Sequence, residues 1–245
     1  MTLVAASLSG HSDTEWARAA NEYVDCAILG GIALDAPSRK AARKLVARDR
    51  EEFLPPDPSE FIDEQLAALS DCDLETGFNV RSTSLGPIRT VGKICREHEA
   101  ICEINAHCRQ DELCQVGCGE ALLRNTDRLC EQVETAADTG ARVSVKVRAE
   151  VSGVDLIETA QAVEQVGAQI IHVDAMDSES VIQEVSEGSN LTVIANNGVR
   201  DRESVREYFD YGADAVSVGR PSDDPRVLSR VREAISEYEK QGISP

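Results

Sequence analysis

The chain has 245 residues, of which 42% are hydrophobic, and its formal net charge is −19. This length allows one large core and is typical of a single α/β barrel. No run approaches the roughly 18 consecutive apolar residues of a membrane-spanning helix, and the apolar start at residues 2–8 is too short and lacks the basic flank of a signal peptide. We therefore expect a cytoplasmic protein without a membrane partner.

Eight short apolar or alternating runs predict strands. In chain order they cover residues 3–8, 26–31, 74–81, 100–106, 142–148, 169–174, 191–196 and 213–218. Helical patterns follow each of them, beginning near Asp13, a plausible N-cap. The remaining predicted helices cover about 38–52, 59–70, 86–98, 119–138, 154–166, 178–186, 201–211 and 224–240.

Strands that alternate with helices predict a parallel sheet, and eight such strands close into a (β/α)8 TIM barrel. We expect residues 1–245 to form one such α/β domain, with a helical insertion at about 37–70, where the connection is longer than a minimal strand-to-helix unit. The sequence has no GxGxxG turn of a dinucleotide-binding sheet.

The acidic residues are spread along the whole chain, so a disordered acidic tail is excluded. The only lysines are Lys40, Lys44, Lys93, Lys146 and Lys240. Dispersed acid with little lysine is typical of proteins that work in concentrated salt, so we expect a halophilic protein. The charge disfavours a strongly basic nucleic-acid face, but concentrated salt screens phosphate contacts, which leaves a nucleic-acid partner open.

Polar side chains gather at the predicted carboxyl ends of the strands, where the active site of such a barrel lies. They are Asn79, Arg81, Asn105, His107, Cys108, Lys146, Arg148, His172, Asp174, Asn196, Asn197 and Arg220. Together they predict a polar, cationic mouth on an acidic protein, which favours an anionic or electron-rich ligand.

Lys146 alternates with valines in SVKVR, so its amine must point into the barrel or toward the mouth. It could be neutralised by a buried carboxylate, form a Schiff base, or hold a cofactor's negative charge. His172 in IIHVD is either a satisfied core histidine or a functional group. The glycines of NNGV and VGRP, with Arg220, indicate a phosphate site, because the loops after strands seven and eight usually bind phosphate in this fold.

The chain has cysteines at positions 26, 72, 95, 102, 108, 114, 118 and 130. In a cytoplasmic chain they should be mostly reduced thiols, and their spacings match no common zinc pair. Cys102 is expected to pack on its strand. Cys108 could be a nucleophile, a proton donor, a metal ligand or an inert thiol, and an iron–sulfur site with Cys114 and Cys118 remains open.

The segment EINAHCRQDELCQVGCGEALLRN resembles the fourth-strand signature of the tRNA-dihydrouridine synthase family, a group of flavin-dependent TIM barrels. VSVKVR resembles the lysine strand of that family, IIHVDA its histidine strand, and ANNGV with SVGRP its flavin-phosphate loops. The resemblance covers about residues 102–221 well. A weaker similarity extends to dihydroorotate dehydrogenases.

The resemblance implies FMN across the barrel mouth, reduced by NAD(P)H or another electron donor. The residues that it would assign to FMN are Asn79, Lys146, His172, Asn197, Gly198, Gly219 and Arg220. Cys108 would protonate C5 of a uracil ring while the flavin delivers hydride to C6. Asn105 and Arg148 would hold the pyrimidine.

The chain also departs from the family. His107-Cys108-Arg109 stands where the family has Gly-Cys-Pro, and Ala6-Ser7 replaces a Pro-Met pair near the first strand. Only about 25 residues follow the last predicted strand, too few for the C-terminal helical domain that grips tRNA in the family. The substrate could therefore be tRNA or a smaller pyrimidine. The alternatives are a dihydroorotate or dihydropyrimidine dehydrogenase-like flavoenzyme, a Schiff-base aldolase or isomerase using Lys146, and a barrel that only binds a ligand.

Overall fold

The structure, a computed structural model, describes residues 1–240 and 242. Eight parallel strands form a closed barrel in the order β1-β2-β3-β4-β5-β6-β7-β8, with helices around it. The prediction of a (β/α)8 TIM barrel is confirmed. Among the described residues, no helix is both long and apolar enough to cross a bilayer.

The strands are β1 (Thr2–Ala5), β2 (Cys26–Ala33), β3 (Glu75–Arg81), β4 (Ile101–Asn105), β5 (Arg142–Arg148), β6 (Ile170–Asp174), β7 (Thr192–Asn196) and β8 (Ala215–Val218). The helices are α1 (Thr14–Ala20), α2 (Ala36–Val46), α3 (Pro58–Ala67), α4 (Leu85–Glu97), α5 (Asp111–Cys114), α6 (Glu120–Leu123), α7 (Thr126–Ala137), α8 (Leu156–Gln165), α9 (Val181–Gly188), α10 (Arg202–Asp210) and α11 (Pro225–Lys240). A short 3-10 helix covers Arg220–Asp223. The connection between β2 and β3 carries both α2 and α3.

Aspartates set the start of several helices, as the sequence suggests for Asp13. The side chain of Asp13 accepts a hydrogen bond from the N–H of Trp16 at the start of α1. Asp35 and Asp201 each form a reciprocal capping box, at the starts of α2 and α10. A side-chain acceptor of this kind satisfies a backbone donor that the helix itself leaves without a partner.

Several predicted boundaries are wrong, among them the end of the first strand, which stops at Ala5 rather than residue 8, and the end of α2, which stops at Val46. The paired glycines do not end β2, which continues to Ala33 past a register shift between Gly30 and Ile32. Gly30 has a positive φ, and a Cβ there would collide with the ring of Phe78, so the position requires glycine. The predicted helix 119–138 is divided into α6 and α7, because Asn125 caps a new helix start through the N–H of Arg128.

The barrel interior is apolar at one end and polar at the other. Successive residues of a strand face opposite sides of the sheet, so alternate residues of each strand point inward. The inward residues near the amino ends of the strands form one apolar cluster of Val4, Cys26, Ile28, Ile101, Ile170, Ile194 and Ala215. The larger core lies between the sheet and the helices and includes the buried thiol of Cys102. The inward cluster, the apolar plug, closes the barrel at the amino ends of the strands, so the polar side chains lie at the carboxyl ends.

Candidate active site in the barrel mouth

A layer of buried polar side chains lies directly above the apolar plug. Its members are Asn79, Glu103, Ser144, Lys146, His172 and Ser217, all at most 5% exposed. The strand register places Asn105 beside Lys146 and Lys146 beside His172, so neighbouring strands contribute groups at the same height. Buried polar groups need hydrogen-bond partners, and most members of this layer hydrogen-bond to one another.

Glu103 of β4 is the centre of this layer. Its carboxylate accepts hydrogen bonds from Asn79 Nδ2 at 2.7 Å and from Ser144 Oγ at 3.1 Å, and it lies 2.8 Å from Nδ1 of His172. Burial alone would raise the pKa of Glu103, but His172, the positive charge of Lys146 and these hydrogen bonds outweigh it and bring the pKa to about 2. The carboxylate is therefore an anion at neutral pH.

His172 lies beneath the mouth rather than on its surface, with no exposed area. Because a carboxylate only accepts hydrogen bonds, Nδ1–H donates to Glu103 and Nε2 accepts from Ser217 Oγ at 2.8 Å. Burial and the nearby charge of Lys146 lower the pKa of His172, although Glu103 raises it. The imidazole is therefore neutral at pH 7.

Lys146 connects this buried layer to the open mouth. Its side chain points inward, is 5% exposed as a residue, and lines the main cavity. Burial lowers the pKa of the amine, while Glu103 below it and Asp174 beside it raise the pKa. Glu103 and Asp174 are thus close enough to act on the charge of Lys146, although neither forms an ion pair with it among the described contacts, and the residue lines the cavity.

The cavity at the mouth has a volume of about 570 Å³, within the range of ligand pockets. It is lined by Ala6, Ser7, Leu8, Lys146, Asp174, Asn196, Asn197, Gly198, Val199, Arg200, Ser217, Gly219, Arg220 and Pro221. The lining therefore includes both the lysine and the two glycine loops of the predicted phosphate site.

The two glycine loops have the features of an anion cradle. None of the N–H groups of Gly198, Val199, Gly219 and Arg220 donates a hydrogen bond to another residue in the described part of the chain. A Cβ added at Gly219 would meet no atom within 4 Å, so the backbone there faces open space. Unpaired backbone donors beside an exposed arginine fit a phosphate group. The residues present thus fit the phosphate end of FMN.

Asn105 organises the loop that follows β4. Its Oδ1 accepts from the N–H groups of His107 and Cys108, at 3.2 and 3.0 Å, and its Nδ2 donates to Asn79 Oδ1 at 2.8 Å. The amides of both asparagines are thus engaged with the protein. Because Asn79 also donates a hydrogen bond to Glu103, the conformation of the loop is linked to the buried polar layer.

Cys108 is half-buried and packs against an apolar cluster of Ala41, Leu45, Leu113 and Cys118, away from the cavity lining. Cys114 contacts the carbonyl oxygen of Cys108 through its Sγ, at 3.5 Å. All eight cysteines are free thiols. Over residues 1–240 and 242, no group of three or more histidine, cysteine and carboxylate side chains is arranged to hold a metal ion.

Two further charged groups complete the mouth. His107 Nε2 lies 2.6 Å from Asp174 Oδ2. The side chain of Arg148 is 9% exposed and has only long contacts, to Glu120 at 3.5 Å and to the sulfur of Met176 at 3.3 Å. Its buried Nε has no hydrogen-bond partner among the described residues. Arg148 therefore keeps donor capacity for a ligand.

The closed barrel, with a buried lysine and two glycine loops at its mouth, defines a (β/α)8-barrel protein. A family model described as Dihydrouridine synthase (Dus) matches residues 89–243, more than half of the chain. The chain therefore belongs to the dihydrouridine synthase family, a family of flavin-dependent oxidoreductases.

An uncharacterized protein of Methanocaldococcus jannaschii is 26% identical over 254 residues, covering 98% of this chain and 95% of that protein. The structure of DHODH from Eimeria tenella, in complex with ferulenol, has a TM-score of 0.74 at 14% identity and covers 99% of this chain and 82% of the other. FabK from Thermotoga maritima has a TM-score of 0.56 at 17% identity over 89% of this chain, which spans only 57% of the FabK chain. At such identities the two structures confirm the barrel fold.

Proposed function

We propose that the protein is an FMN-dependent oxidoreductase that reduces the C5–C6 double bond of a uracil-type ring, in tRNA or in a smaller pyrimidine. NAD(P)H or another donor would supply the electrons. The observation that carries the proposal is the cavity that joins the amine of Lys146 to the unpaired N–H groups of the two glycine loops. Membership in the dihydrouridine synthase family supports the same chemistry.

FMN would be held at two ends. The backbone donors of Gly198 and Gly219, with the guanidinium of Arg220 and the amide of Asn197, would bind its phosphate. Lys146 would hold negative charge on the ring system, since its amine is the buried cation that faces the cavity. When bound and reduced, the flavin supplies a hydride.

The remaining polar groups would act on the substrate or behind the flavin. Arg148, with its unpartnered Nε, would donate to a carbonyl oxygen of the pyrimidine, and Asn105 lies beside it in the mouth. Asn79 and His172, which the family resemblance places against the flavin, are fully buried and bonded to Glu103. In this protein they would act chiefly by fixing Glu103 beneath Lys146.

Reduction of the double bond also needs a proton. The segment after β4 supplies the candidates, because it carries both His107 and Cys108, the residue at the position of the family's proton donor. The backbone N–H groups of His107 and Cys108 both donate to Oδ1 of Asn105. The two side chains therefore start from neighbouring backbone positions that are held in place.

The decisive experiment is the visible spectrum of protein purified in concentrated salt, followed by mass analysis of the released chromophore. Bound FMN, lost in Lys146→Gln but retained in the exposed Lys93→Gln control, is the expected result. A colourless protein that does not take up added FMN would overturn the proposal. Borohydride trapping of Lys146 with an aldehyde substrate would instead establish the aldolase class.

Unmodified tRNA transcript and uridine monophosphate, each with NADPH, then distinguish the two substrate classes. Formation of dihydrouridine in the transcript alone identifies a tRNA enzyme, and reduction of the mononucleotide identifies a small-molecule enzyme. Reduction of neither probe by the FMN-loaded protein would contradict the assignment of a uracil-type ring.

A further inference from the structure

We propose that His107, oriented by Asp174, is the group that transfers the proton to the substrate, in place of the cysteine that serves this role in the family. The inference rests on the proposed function and specifies its proton donor. It is carried by the position of the His107–Asp174 pair over the barrel mouth and by the different surroundings of Cys108.

The first step is the geometry of the pair. Nε2 of His107 lies 2.6 Å from Oδ2 of Asp174, and the two side chains are 30% and 14% exposed. The other carboxylate oxygen of Asp174 accepts from the N–H of Met176 at 3.2 Å, which fixes the carboxylate. Because a carboxylate only accepts, Nε2 carries its hydrogen and Nδ1 is the free position of the ring. No described residue hydrogen-bonds Nδ1.

The second step is where the ring lies. His107 follows β4, whereas Asp174 ends β6, and β5 lies between these two strands. The imidazole must therefore cross the carboxyl end of β5, where Lys146 and Arg148 point inward. Asp174 is itself part of the cavity lining. Because His107 contacts Asp174, the His107–Asp174 pair lies at the edge of the cavity.

The third step is the contrast with Cys108. Its side chain packs against Leu113, Cys118 and helix α2. No carboxylate, imidazole or other base hydrogen-bonds its sulfur among the described contacts. His107 has such a neighbour and Cys108 does not.

The charged groups around His107 set its protonation. Burial lowers the pKa of the imidazole, Asp174 of β6 raises it, and Lys146 and Arg148 of β5 lower it, with a net shift below the ordinary value. Glu103 and His172 lie deeper in the barrel. The neutral ring therefore predominates at pH 7, and the imidazolium that gives the proton forms when the ring, 30% exposed, takes up a proton from solvent.

The proposed step balances as follows. The Nδ1–H bond of the imidazolium breaks and a C–H bond forms at C5 of the ring, which leaves a neutral imidazole still bound to Asp174. The two electrons arrive as the hydride that reduced FMN supplies to C6, so the substrate is reduced and the flavin is oxidised. The exposed edge of His107 then takes up a proton from water.

The pair is tested first without substrate or flavin. The protein has four histidines, and NMR of the labelled rings in the full chain gives the pKa of each. Asp174→Asn should lower the pKa of His107, because a carboxylate that stabilises the imidazolium is removed. The matched control is Asp63→Asn, since Asp63 pairs with His98 at the same 2.6 Å on the surface. Asp63→Asn should leave the pKa of His107 unchanged. If Asp174→Asn also leaves the pKa of His107 unchanged, the inference is overturned.

The catalytic role is tested by mixing the photoreduced, FMN-loaded protein with unmodified tRNA transcript or uridine monophosphate. His107→Gln should slow substrate-dependent flavin oxidation by about 100-fold or more, while Cys108→Ala changes the rate by less than about threefold. The rate should fall as the pH rises through the pKa of His107, and Asp174→Asn should move this fall to lower pH. A purely structural role of Asp174 would not produce that shift. The converse pattern, with the loss in Cys108→Ala, would overturn the inference.

Failure of the proposed function is recognised separately. A wild-type protein that binds no FMN, or that binds it and reduces neither probe, refutes the proposed reaction and this role together. An active wild type with an equally active His107→Gln variant refutes the role of His107 alone. FMN absorbance and circular dichroism of each variant exclude loss of folding as the cause.

Discussion

Nδ1 of His172 donates a hydrogen bond of 2.8 Å to Oε2 of Glu103 inside the barrel, where both side chains are fully buried. The pair places a fixed negative charge beneath the amine of Lys146. That charge raises the pKa of the lysine and opposes the larger effect of burial, which lowers it. The charge of the amine at the barrel mouth thus depends on a fully buried carboxylate.

Glu103→Gln should destabilise the protein, with a characteristic pH dependence. The folded-state pKa of about 2 is below the ordinary 4.5, so Glu103 contributes stability that is complete above about pH 4.5 and is lost as the pH falls toward 2. At pH 7 the substitution should cost about 3–5 kcal/mol, because it removes the buried negative charge that offsets the burial of Lys146. Urea unfolding at several pH values measures the change.

The difference between the wild type and Glu103→Gln should shrink as the pH is lowered from 4.5 toward 2, since the wild-type carboxylate becomes protonated there. The exposed Glu131→Gln substitution is the control and should change stability by less than about 0.5 kcal/mol at any pH. A Glu103→Gln penalty that is independent of pH below 4.5 would contradict the assigned pKa shift.

Local sequence patterns were enough to predict the barrel and the strand ends. The fifth strand was predicted with its observed bounds, and Lys146 was recognised because it interrupts a run of valines. Glu103 interrupts the fourth strand in the same way, between Cys102 and Ile104, and alternation alone could have marked it as an inward carboxylate. The cysteines that follow it are the more conspicuous chemical signal in this part of the sequence.

Other features depend on contacts that no local pattern encodes. The His107–Asp174 pair joins residues 67 positions apart in sequence. The path of β2 through Gly30 depends on the Phe78 ring of the neighbouring strand. The direction of the Cys108 side chain follows from helices α2 and α5, which cover that side of the loop. The sequence could therefore predict which residues lie at the strand ends, but not which of their side chains face the cavity.

Arg81→Met should destabilise the protein strongly, because it breaks a buried ion pair. Arg81 Nη1 lies 3.0 Å from Glu52 Oε2, with side-chain exposures of 1% and 2%. Removing one partner of such a pair costs about 3–5 kcal/mol. The exposed pair Arg206–Asp210 provides the control, and Arg206→Met should cost about 0–1 kcal/mol. Chemical denaturation of both variants at pH 7 makes the comparison.

The same variant has a pH signature. Burial raises the pKa of Glu52 even with Arg81 present, and loss of the guanidinium should raise it further. Protonation then relieves the unpaired charge, so the destabilisation of Arg81→Met should be smaller at pH 4 than at pH 7. Equal losses at the two pH values would mean that packing, rather than charge, dominates the contribution of Arg81.

Concentrated salt should stabilise the folded protein. A net charge of −19 produces self-repulsion in the compact state, and the screening length falls from about 10 Å at 0.1 M salt to about 3 Å at 1 M. The unfolding midpoint should therefore rise steadily between 0.1 M and 2 M potassium chloride. Differential scanning calorimetry over this range measures it, with equal osmolality of sucrose as the comparison. A midpoint that sucrose raises as much as the salt does would argue against relief of charge repulsion.

Arg220→Ala should weaken FMN binding much more than riboflavin binding. Arg220 is exposed at the phosphate end of the cavity, so its guanidinium would contact only the phosphate. A hydrogen bond to a charged group contributes about 1.5–3 kcal/mol, which corresponds to a rise of about 10- to 100-fold in the dissociation constant for FMN. Riboflavin, which has no phosphate, should bind within about twofold of the wild-type value. The control is Arg226→Ala, because Arg226 is exposed outside the cavity and paired with Asp224. Flavin fluorescence titrations give all of these constants, and equal losses for the two flavins would place the phosphate elsewhere.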